Sequence, residues 1–557
     1  MRWVSVVALE QVPLVGVGII LWLFKGKDMK LRYFSLLLTL GVLAGAPAVQ
    51  AQKRAPAPPP SNAPAQPART ELPLTASESE VHVQTLPVDS TVVLLVGRER
   101  PLSTKSTYAF QQYDHALHLR NDTPVEVADE FKFDRMCAEG NTVYALFTSR
   151  STPGRLLAAA YNGRLGQVRT QQFDTRLSRE IMELKALEGR LFATVLLNDQ
   201  LHVTALLLDV ATGQMQYLSS IYEPLPTQLT FVADAASRRA EYVLSQTNGR
   251  KSRLLLKQLT EQGQLVSSEF VQAESERSLI TAQLTPPQDT TARLLMGTYS
   301  LRDPNYAQGL FATDLRPTAG TGTKPPLRFY DFLRLKHFFD YLKPSRQAKL
   351  RQRTERRVAR SVPPLRWRYR LLLHELRPQP DGGYVLVAEV YYPHYRYNNY
   401  GNLPAPFNAG ATSMGNYGNS RVFDGYQTTH ALVCGFDRAG TLLWDNTFVV
   451  ENLRRHNLEE AVRLQTLPDG RLVLAYLDEE KLRYKLIDRA ESSPNDHQVP
   501  IQTGFADANA GVERVSDTSQ ADVMPWFGSR FVASGYQRVH SNNGPSREVF
   551  FLNSVVF

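Results

Sequence analysis

Residues 381–392 read "DGGYVLVAEVYY", which is an acidic residue and glycines followed by a run of apolar, β-branched and aromatic side chains. The same order recurs in "EGNTVYALFTSR" from Glu139, "EGRLFATVLLND" from Glu188 and "DGRLVLAYLDEE" from Asp469. An acidic residue followed by glycine favours a tight turn, and the runs that follow favour strands. Because the glycines of the copies at Glu139 and Glu188 are 49 residues apart, the pattern indicates an internal repeat.

A second unit follows the better copies and consists of a strand, a turn with glycine and another strand. Examples are "ALLLDVATGQMQYL" and "LLLKQLTEQGQLVSSEF", whose glycines Gly213 and Gly263 are 50 residues apart. Each repeat therefore supplies three or four short strands at a period near 50, which is typical of β-propeller blades. Copies begin near residues 91, 141, 190, 240, 292, 383, 470 and 529. We predict an all-β fold, a seven- or eight-bladed β-propeller over residues 81–557, closed by pairing the last strand with residues 81–97.

Three of these stretches resemble the repeats of known propellers. "DGGYVLVAE" is similar to the opening of blades in secreted bacterial β-propellers, and "DVATGQMQY" and "FDRAGTLLWD" resemble the ends of PQQ-like repeats. The resemblance covers residues 81–315 and 380–557. It implies the fold and an exported protein, whereas the regular tryptophan pattern of quinoproteins is absent and only Trp444 occupies such a position. We therefore expect no cofactor.

The end of the chain also resembles a different fold class. Phe557 follows an apolar strand, as in the last strand of an outer-membrane β-barrel. Barrel strands alternate strictly between apolar and polar residues. Runs such as "VTALLLDV" are apolar at consecutive positions, which favours strands buried on both faces in stacked blades.

The amino-terminal part of the 557-residue chain has the features of an export signal. From Met29, which we take as the true start, a short basic region precedes an apolar stretch and a cleavage site after Ala51. We interpret residues 1–51 as leader and signal peptide, and residues 52–80, rich in Pro and Ala, as a disordered linker. The mature chain is then periplasmic or secreted. Its two cysteines, Cys137 and Cys434, are expected to be buried free thiols.

The positive charge of the chain is concentrated in one insertion, residues 316–378, which interrupts the repeat. Residues 328–370 hold 14 Lys and Arg against three Asp and Glu, a net charge of +11. An apolar stripe at three- and four-residue steps predicts a first helix that docks on the propeller; its members are Phe329, Phe332, Leu335, Phe339 and Leu342. After Pro344 a second, mostly polar helix is expected.

The second helix supplies a candidate contact for an anionic partner, such as an envelope protein, an acidic polysaccharide or a lipid surface. The candidate residues are Lys349, Arg351, Arg353, Arg356, Arg357 and Arg360. The alternative is a solvated helix without a partner. Nucleic acid is not expected, because the chain is predicted to be exported.

A long connection between the strand at 384–393 and the strand from Thr429 supplies a second candidate site. Its aromatic residues, which are suited to stacking on sugar rings or gripping a peptide, are Tyr395, Tyr397, Tyr400, Phe407 and Tyr417. The alternative is that these side chains pack the loop against its own blade.

Catalytic motifs are not found in the sequence. There is no G-x-S-x-G elbow, no phosphate-binding glycine loop and no H-E-x-x-H zinc motif. His394, His430 and Asp424 would hold a metal only if the long loop folded back, and we predict no metal site. The leading hypothesis is therefore an exported, non-catalytic binding or scaffold module of the cell envelope. The alternatives are a propeller enzyme that acts on polysaccharide through channel carboxylates, and the outer-membrane β-barrel.

Overall fold

The strands form eight separate sheets, seven of them four-stranded, arranged as the blades of a propeller. The computed structural model describes residues 63–557 except for residues 100–105, 177, 226–228, 235–236, 249–250, 274, 286–292, 318–323, 361–364, 399–419, 452, 490–495, 505–512 and 541–544. The predicted leader, residues 1–51, and Tyr400, Phe407 and Tyr417 lie outside the described residues.

The strands follow one another in chain order as simple antiparallel hairpins. The first half of the described chain contains β1 (Ala65–Leu72), β2 (Ser79–Leu86), β3 (Thr91–Glu99), β4 (Ser106–Tyr113), β5 (Leu119–Val125), β6 (Phe131–Glu139), β7 (Thr142–Ser149), β8 (Arg155–Asn162), β9 (Gln167–Asp174), β10 (Ser178–Leu187), β11 (Arg190–Leu197), β12 (His202–Asp209), β13 (Met215–Pro224), β14 (Leu229–Asp234), β15 (Arg239–Thr247), β16 (Ser252–Thr260) and β17 (Leu265–Val271). The second half contains β18 (Ser278–Leu284), β19 (Leu294–Ser300), β20 (Gly309–Asp314), β21 (Arg328–Asp331), α1 (Pro344–Ala359), β22 (Arg370–Leu373), β23 (Arg377–Pro378), β24 (Tyr384–Asn398), β25 (Ser420–Phe436), β26 (Leu442–Val449), β27 (Arg454–Arg455), β28 (Arg463–Thr466), β29 (Leu472–Asp478), β30 (Lys481–Ile487), β31 (His497–Pro500), β32 (Arg514–Pro525), β33 (Arg530–His540) and β34 (Arg547–Val556).

Blades 1 to 5 are β2–β5, β6–β9, β10–β13, β14–β17 and β18–β21. Blade 6 is β22, β24, β25 and β26, to which the short strands β23 and β27 are added, and blade 7 is β28–β31. Blade 8 consists of β32, β33 and β34 with β1 as its outermost strand. The all-β propeller is confirmed, and the blade count is eight.

The repeat starts predicted from sequence fall on the second strand of each blade rather than the first. The acidic residue and glycine form the turn between these two strands, and Gly140, Gly189, Gly382 and Gly470 all have positive φ there, between 56° and 85°. Glycine adopts this region without steric cost, which is why the motif recurs. The prediction therefore had the correct period but was displaced by one strand.

The prediction of ring closure names the wrong pairing partner for the last strand. The last strand β34 pairs with β1, for example Thr70 with Leu552, and not with residues 81–97. Residues 65–80, predicted to be a disordered linker, thus belong to the propeller, and Leu72 and Leu74 are buried. The Pro- and Ala-rich composition was misleading because an outermost strand tolerates Pro and polar residues on its unpaired edge.

The core lies between neighbouring blades. Residues 92–96 of β3 are buried at five consecutive positions: Val92 and Leu94 pack towards blade 8, while Val93 and Leu95 pack towards blade 2. Side chains of a strand alternate between its faces, so a strand covered on both faces is apolar throughout. The alternative fold, in which all strands would close into one membrane-spanning sheet, is wrong because the strands form eight separate sheets.

The insertion is partly core, and its predicted first helix is wrong. Phe329 lies in β21, the outermost strand of blade 5, and residues 332–342 form turns. Phe332, Leu335 and Phe339 of the apolar stripe are nevertheless buried between blades 5 and 6, where Phe332 stacks on Phe338 at 4.1 Å between ring centroids. Asp445 of β26 accepts hydrogen bonds from the backbone amides of Lys336 and His337, at 2.9 and 2.6 Å, which holds these turns without helical bonds.

The second predicted helix is confirmed as α1, which begins at Pro344. Proline suits the first position of a helix because its missing amide hydrogen needs no partner there. The boundaries of the insertion change, because residues 328–331 belong to blade 5 and residues 370–378 line blade 6. Both cysteines are buried free thiols, as predicted. Within the part of the chain that is described, no helix is long and apolar enough to cross a membrane.

Connections alternate between the two faces of the propeller because neighbouring strands are antiparallel. We call the face with the turns between first and second strands the lower face, and the opposite one the upper face. The upper face carries the connections between second and third strands and those between blades. The insertion with α1 and the long extension of β24 and β25 therefore both rise from the upper face.

Candidate functional site

The first strands of the blades surround a central channel, which opens on the lower face into a cavity of about 660 Å³. Residues of blades 1, 2, 3, 6, 7 and 8 contribute to its wall. Its ionisable lining residues are Lys185, His374, Glu375, Arg377, Glu460 and Arg463. An open channel with converging charged side chains is a candidate ligand site.

The cationic side chains that line the cavity differ in whether they form salt bridges. Lys185 of β10 forms a salt bridge with Glu375 at 2.7 Å, and both side chains are partly exposed. Arg377 of β23 is exposed, and its side chain forms no hydrogen bond or salt bridge with any described residue. Its backbone pairs with that of Val385 in the sheet of blade 6, so the Cα from which the side chain extends is held in place.

His374 and Glu389 form a buried polar centre beside the cavity. Nε2 of His374 lies 2.9 Å from Oε1 of Glu389, which is 1 % exposed. The same oxygen accepts hydrogen bonds from the backbone amides of Ala461 and Val462, each at 2.8 Å, so Glu389 joins blade 6 to the chain entering blade 7. Burial alone would lower the pKa of His374, but Glu460 and Glu389 outweigh it and the pKa is raised.

A chain of ion pairs continues from this centre to blade 8. Arg463 contacts Glu460 at 3.2 Å and Asp522 at 3.4 Å, and Asp522 also contacts Arg455 at 2.9 Å. Burial would raise the pKa of Asp522, yet Arg463 and Arg455 hold it below its usual value. Nε of Arg463 is buried and has no partner among the described residues.

Glu183 is a carboxyl of a first strand that forms no salt bridge with any described residue. It lies on β10, two residues before Lys185, so both side chains are on the same face of the strand. Burial raises the pKa of Glu183 to about 7. The positive charges of Lys185 and Arg135 oppose this increase, and the negative charge of Glu375 adds to it. Tyr242 of β15 also interacts electrostatically with it. This carboxyl therefore titrates near neutral pH.

The raised pKa of Glu183 predicts a pH dependence of stability. Between pH 4.5 and about 7 the folded protein holds a proton that the unfolded chain has released, so this group's contribution to stability falls as pH rises through that window. We expect wild type to lose about 2 kcal/mol relative to Glu183→Gln between pH 5 and pH 8. Urea unfolding of both proteins at several pH values measures this, and parallel stability curves would contradict it.

The predicted tyrosine loop is in part a two-stranded arm, formed by the upper ends of β24 and β25. Tyr395 lies in β24, is 45 % exposed and makes an edge contact with Phe423 at 5.9 Å between ring centroids. Phe423 in turn contacts Tyr426 at 5.1 Å. The backbone of Tyr397 pairs with Arg421. The arm therefore brings Tyr395 together with aromatic residues that the sequence analysis did not single out.

The fold brings two of the three residues considered for a metal together, His394 and Asp424, and places His430 elsewhere. Asp424 on the arm contacts His394 at 3.2 Å but also pairs with Arg396 at 2.8 Å and Arg454 at 2.7 Å. His430 is buried, stacks on Tyr341 at 4.1 Å between ring centroids and has a pKa lowered to about 3 by burial. Among the described residues no group of three or more His, Cys, Asp and Glu side chains could hold a metal ion.

The basic residues predicted on the second helix divide into two sets. Arg351 donates a hydrogen bond to the backbone oxygen of Lys336 at 2.7 Å, so it helps to fix the helix on the propeller. Four exposed residues whose side chains have no partner among the described residues recur at steps of four, three and four; they are Lys349, Arg353, Arg356 and Arg360. Arg357 is only partly exposed.

The channel residues were missed by sequence reasoning. They lie on the first strands of blades 3, 6 and 7 or next to them in the chain, and the repeat motif begins only at the second strand. A signal was present in stretches such as "REIMELKALEGR", residues 179–190, where charges interrupt an apolar strand just before the turn. Such charges are unusual in a blade interior and indicate a channel wall.

Fold and site together define an eight-bladed β-propeller with an open, charged channel and two appendages on its upper face. No family model matches the chain, and no curated protein matches it.

Solved structures that resemble it include the polysaccharide lyase Uly1, with 8 % identity over 76 % of this chain and 89 % of that one, at a TM-score of 0.38. The Dos1 propeller aligns at 8 % identity over 88 % and 95 %, at a TM-score of 0.36. Prolyl oligopeptidase B from Galerina marginata aligns at 8 % identity over 82 % of this chain and 56 % of its own, at a TM-score of 0.35. These similarities are too low to carry an argument about function.

Proposed function

We propose that the protein is an exported, non-catalytic binding module of the cell envelope, and that its upper face binds an acidic polysaccharide. The observation that carries the proposal is that an exposed cationic stripe and an exposed aromatic arm rise from the same face. The signal-like segment that ends at Ala51 supports export.

The two appendages are connected at their bases. Tyr341, which precedes α1, stacks on His430 at the base of β25. Phe338 contacts the same imidazole at 5.3 Å between ring centroids. Both appendages are therefore fixed to the junction of blades 5 and 6, and a long ligand can contact both of them.

The stripe on α1 fits a linear polyanion. The opposite side of the helix is docked: Thr354 is buried, Leu350 packs against the core and Gln347 donates to the backbone oxygen of Leu342. The four exposed cations then point away from the propeller and extend for about 16 Å along the helix. Exposed cations without intramolecular partners are available to carboxylate or sulfate groups of a ligand at no cost of broken ion pairs.

The arm supplies exposed aromatic side chains on which sugar rings can stack. Tyr392, Tyr395 and Phe423 are each between 38 and 45 % exposed, although large aromatic side chains favour burial. Tyrosine offers a flat apolar face with a polar tip, which suits stacking on a sugar while bonding its hydroxyls. Aromatic rings beside cations favour an acidic polysaccharide over a purely polar anion.

A polysaccharide-active enzyme is the second candidate function, and one observation favours it. In the channel the pKa of Glu183 is raised by burial, whereas that of Glu375 is held low by Lys185 against the effect of burial. Carboxyls whose pKa values are pushed apart can act as acid and base. Against this, Glu375 is paired with Lys185, and the other carboxylates of the channel network are also paired or hydrogen-bonded.

The proposed function predicts the effect of reversing charge on α1. The quadruple variant Lys349→Glu, Arg353→Glu, Arg356→Glu and Arg360→Glu should fold normally and bind polygalacturonate at least about tenfold more weakly than wild type, because each repulsive charge faces the polyanion. Isothermal titration calorimetry at low salt measures this. The polysaccharide should be recovered at its original length, whereas shortened chains would identify the enzyme.

A matched control reverses the same amount of charge elsewhere. Arg120, Arg150 and Arg169 are exposed residues of blades 1 and 2, Lys481 is an exposed residue of blade 7, and replacement of these four by glutamate changes the net charge equally. Equal losses of affinity in both quadruple variants would show that only net charge matters, and the assignment of the ligand to α1 would then be wrong.

A further inference from the structure

The cavity at the lower mouth of the channel has the size and lining of a small-molecule site. Its volume of about 660 Å³ lies within the range of ligand pockets. It opens on the face opposite α1 and the arm, so it is not part of the surface proposed for polysaccharide. Its charged side chains project from strands or strand ends of blades 3, 6 and 7, which gives the site a rigid frame.

The uncommitted donors of the cavity favour an anion. Arg377 lines the cavity without a hydrogen bond or salt bridge to any described residue. Its guanidinium carries parallel donors that match a carboxylate in two-point contact. Arg463 uses its two terminal nitrogens on Glu460 and Asp522 and its Nε is buried, so Arg377 supplies the accessible donors.

The acceptors of the cavity limit how much negative charge a ligand can carry. Glu375 is 48 % exposed and Glu460 37 %, and both line the cavity. A polyphosphate or a heavily sulfated group would be repelled by these carboxylates, whereas hydroxyl groups would donate hydrogen bonds to them. The side chains of Gln84 and Gln465 in the wall add polar atoms that suit hydroxyls.

We infer that this cavity binds a small polyhydroxylated monocarboxylate, with its carboxylate on Arg377 and its hydroxyls on Glu375 and Glu460. A sugar acid such as a uronate has this chemistry, and it can be a free molecule or the end of a polysaccharide chain.

Calorimetry of the purified protein with D-glucuronate, with D-glucose as the neutral probe, tests this inference. We expect wild type to bind glucuronate and not glucose, and Arg377→Gln to weaken glucuronate binding at least about tenfold through loss of the charge-assisted pair. Arg120→Gln, an exposed arginine of blade 1, is the control and should leave the affinity unchanged. Arg377 is exposed and unpaired, so its replacement should not disturb folding.

The outcomes separate the sources of the ligand and the two sites. An oligosaccharide ending in a uronate that binds as tightly as the monosaccharide supports a chain end, and binding of the monosaccharide alone supports a free acid. The quadruple α1 variant should bind glucuronate like wild type, so failure of the polysaccharide proposal would leave this result intact. Absence of glucuronate binding to wild type, or equal binding by Arg377→Gln, would overturn the inference.

Discussion

Deletion of residues 328–360 is expected to abolish folding rather than to remove a surface helix from an intact propeller. The deletion removes β21, the outermost strand of blade 5, together with Phe332, Leu335 and Phe338, which are completely buried between blades 5 and 6. Loss of a single buried Phe side chain costs about 3–5 kcal/mol. Because the free energy of unfolding of a folded domain is only about 5–15 kcal/mol, the loss of several such side chains exceeds it.

Thermal unfolding followed by circular dichroism, together with the yield of soluble protein, measures this effect. Phe338→Ala serves as the smaller test and should lower the free energy of unfolding by about 3–5 kcal/mol. The quadruple α1 charge variant is the control, since its four exposed side chains contribute little to stability. A deletion protein that unfolds cooperatively near the wild-type temperature would show that the insertion is not core.

Glu389→Ala is expected to be the most damaging single substitution in the buried polar centre beside the channel. It leaves His374 and the backbone amides of Ala461 and Val462 buried without their shared acceptor. Removing one partner from a buried ionic centre typically costs about 3–5 kcal/mol. Glu389→Gln keeps an acceptor oxygen for the amides and should lose less.

Urea unfolding of these variants gives the free energies. Glu375→Ala is the matched control, because Glu375 is a channel carboxylate whose salt bridge is partly exposed, and it should cost about 1 kcal/mol or less. Equal losses for Glu389→Ala and Glu375→Ala would contradict the view that Glu389 is the link between blades 6 and 7.

The sequence predicts the propeller well because its strongest signals are local. Turn glycines with positive φ, such as Gly189 and Gly470, and second strands that are apolar throughout, such as residues 92–96, depend on neighbours in the chain. Ring closure depends instead on contacts between distant segments. Strand β1 has few apolar residues because most of its side chains are exposed or only half-buried, so its composition resembles a linker.

The incorrectly predicted first helix of the insertion also shows that local patterns do not reveal contacts between distant segments. The apolar stripe at Phe332, Leu335 and Phe339 has helical spacing, and all three side chains are buried, yet turns capped by Asp445 take the place of the helix. Asp445 is more than 100 residues further along the chain, so its effect cannot be read from the local pattern.

The channel site is the part that sequence reasoning could not assemble. Lys185, Glu375 and Arg463 come from three blades and meet only because the ring closes. The exposed cations of α1 were predictable, since the helical spacing that places them on one side is local. The sequence could not distinguish Arg351 from them, because its hydrogen bond to the backbone of Lys336 depends on how the helix docks.

The central claim is that the upper face binds an acidic polysaccharide through α1, and the most direct measurement is recovery of the ligand from native cells. The protein would be purified with affinity tags from solubilised envelope in three forms: wild type, the quadruple α1 variant and the quadruple control variant. Captured material would be assayed for acidic sugar and for protein. We predict acidic polysaccharide with wild type and the control but not with the α1 variant; polysaccharide in all three captures, or in none, would contradict the claim.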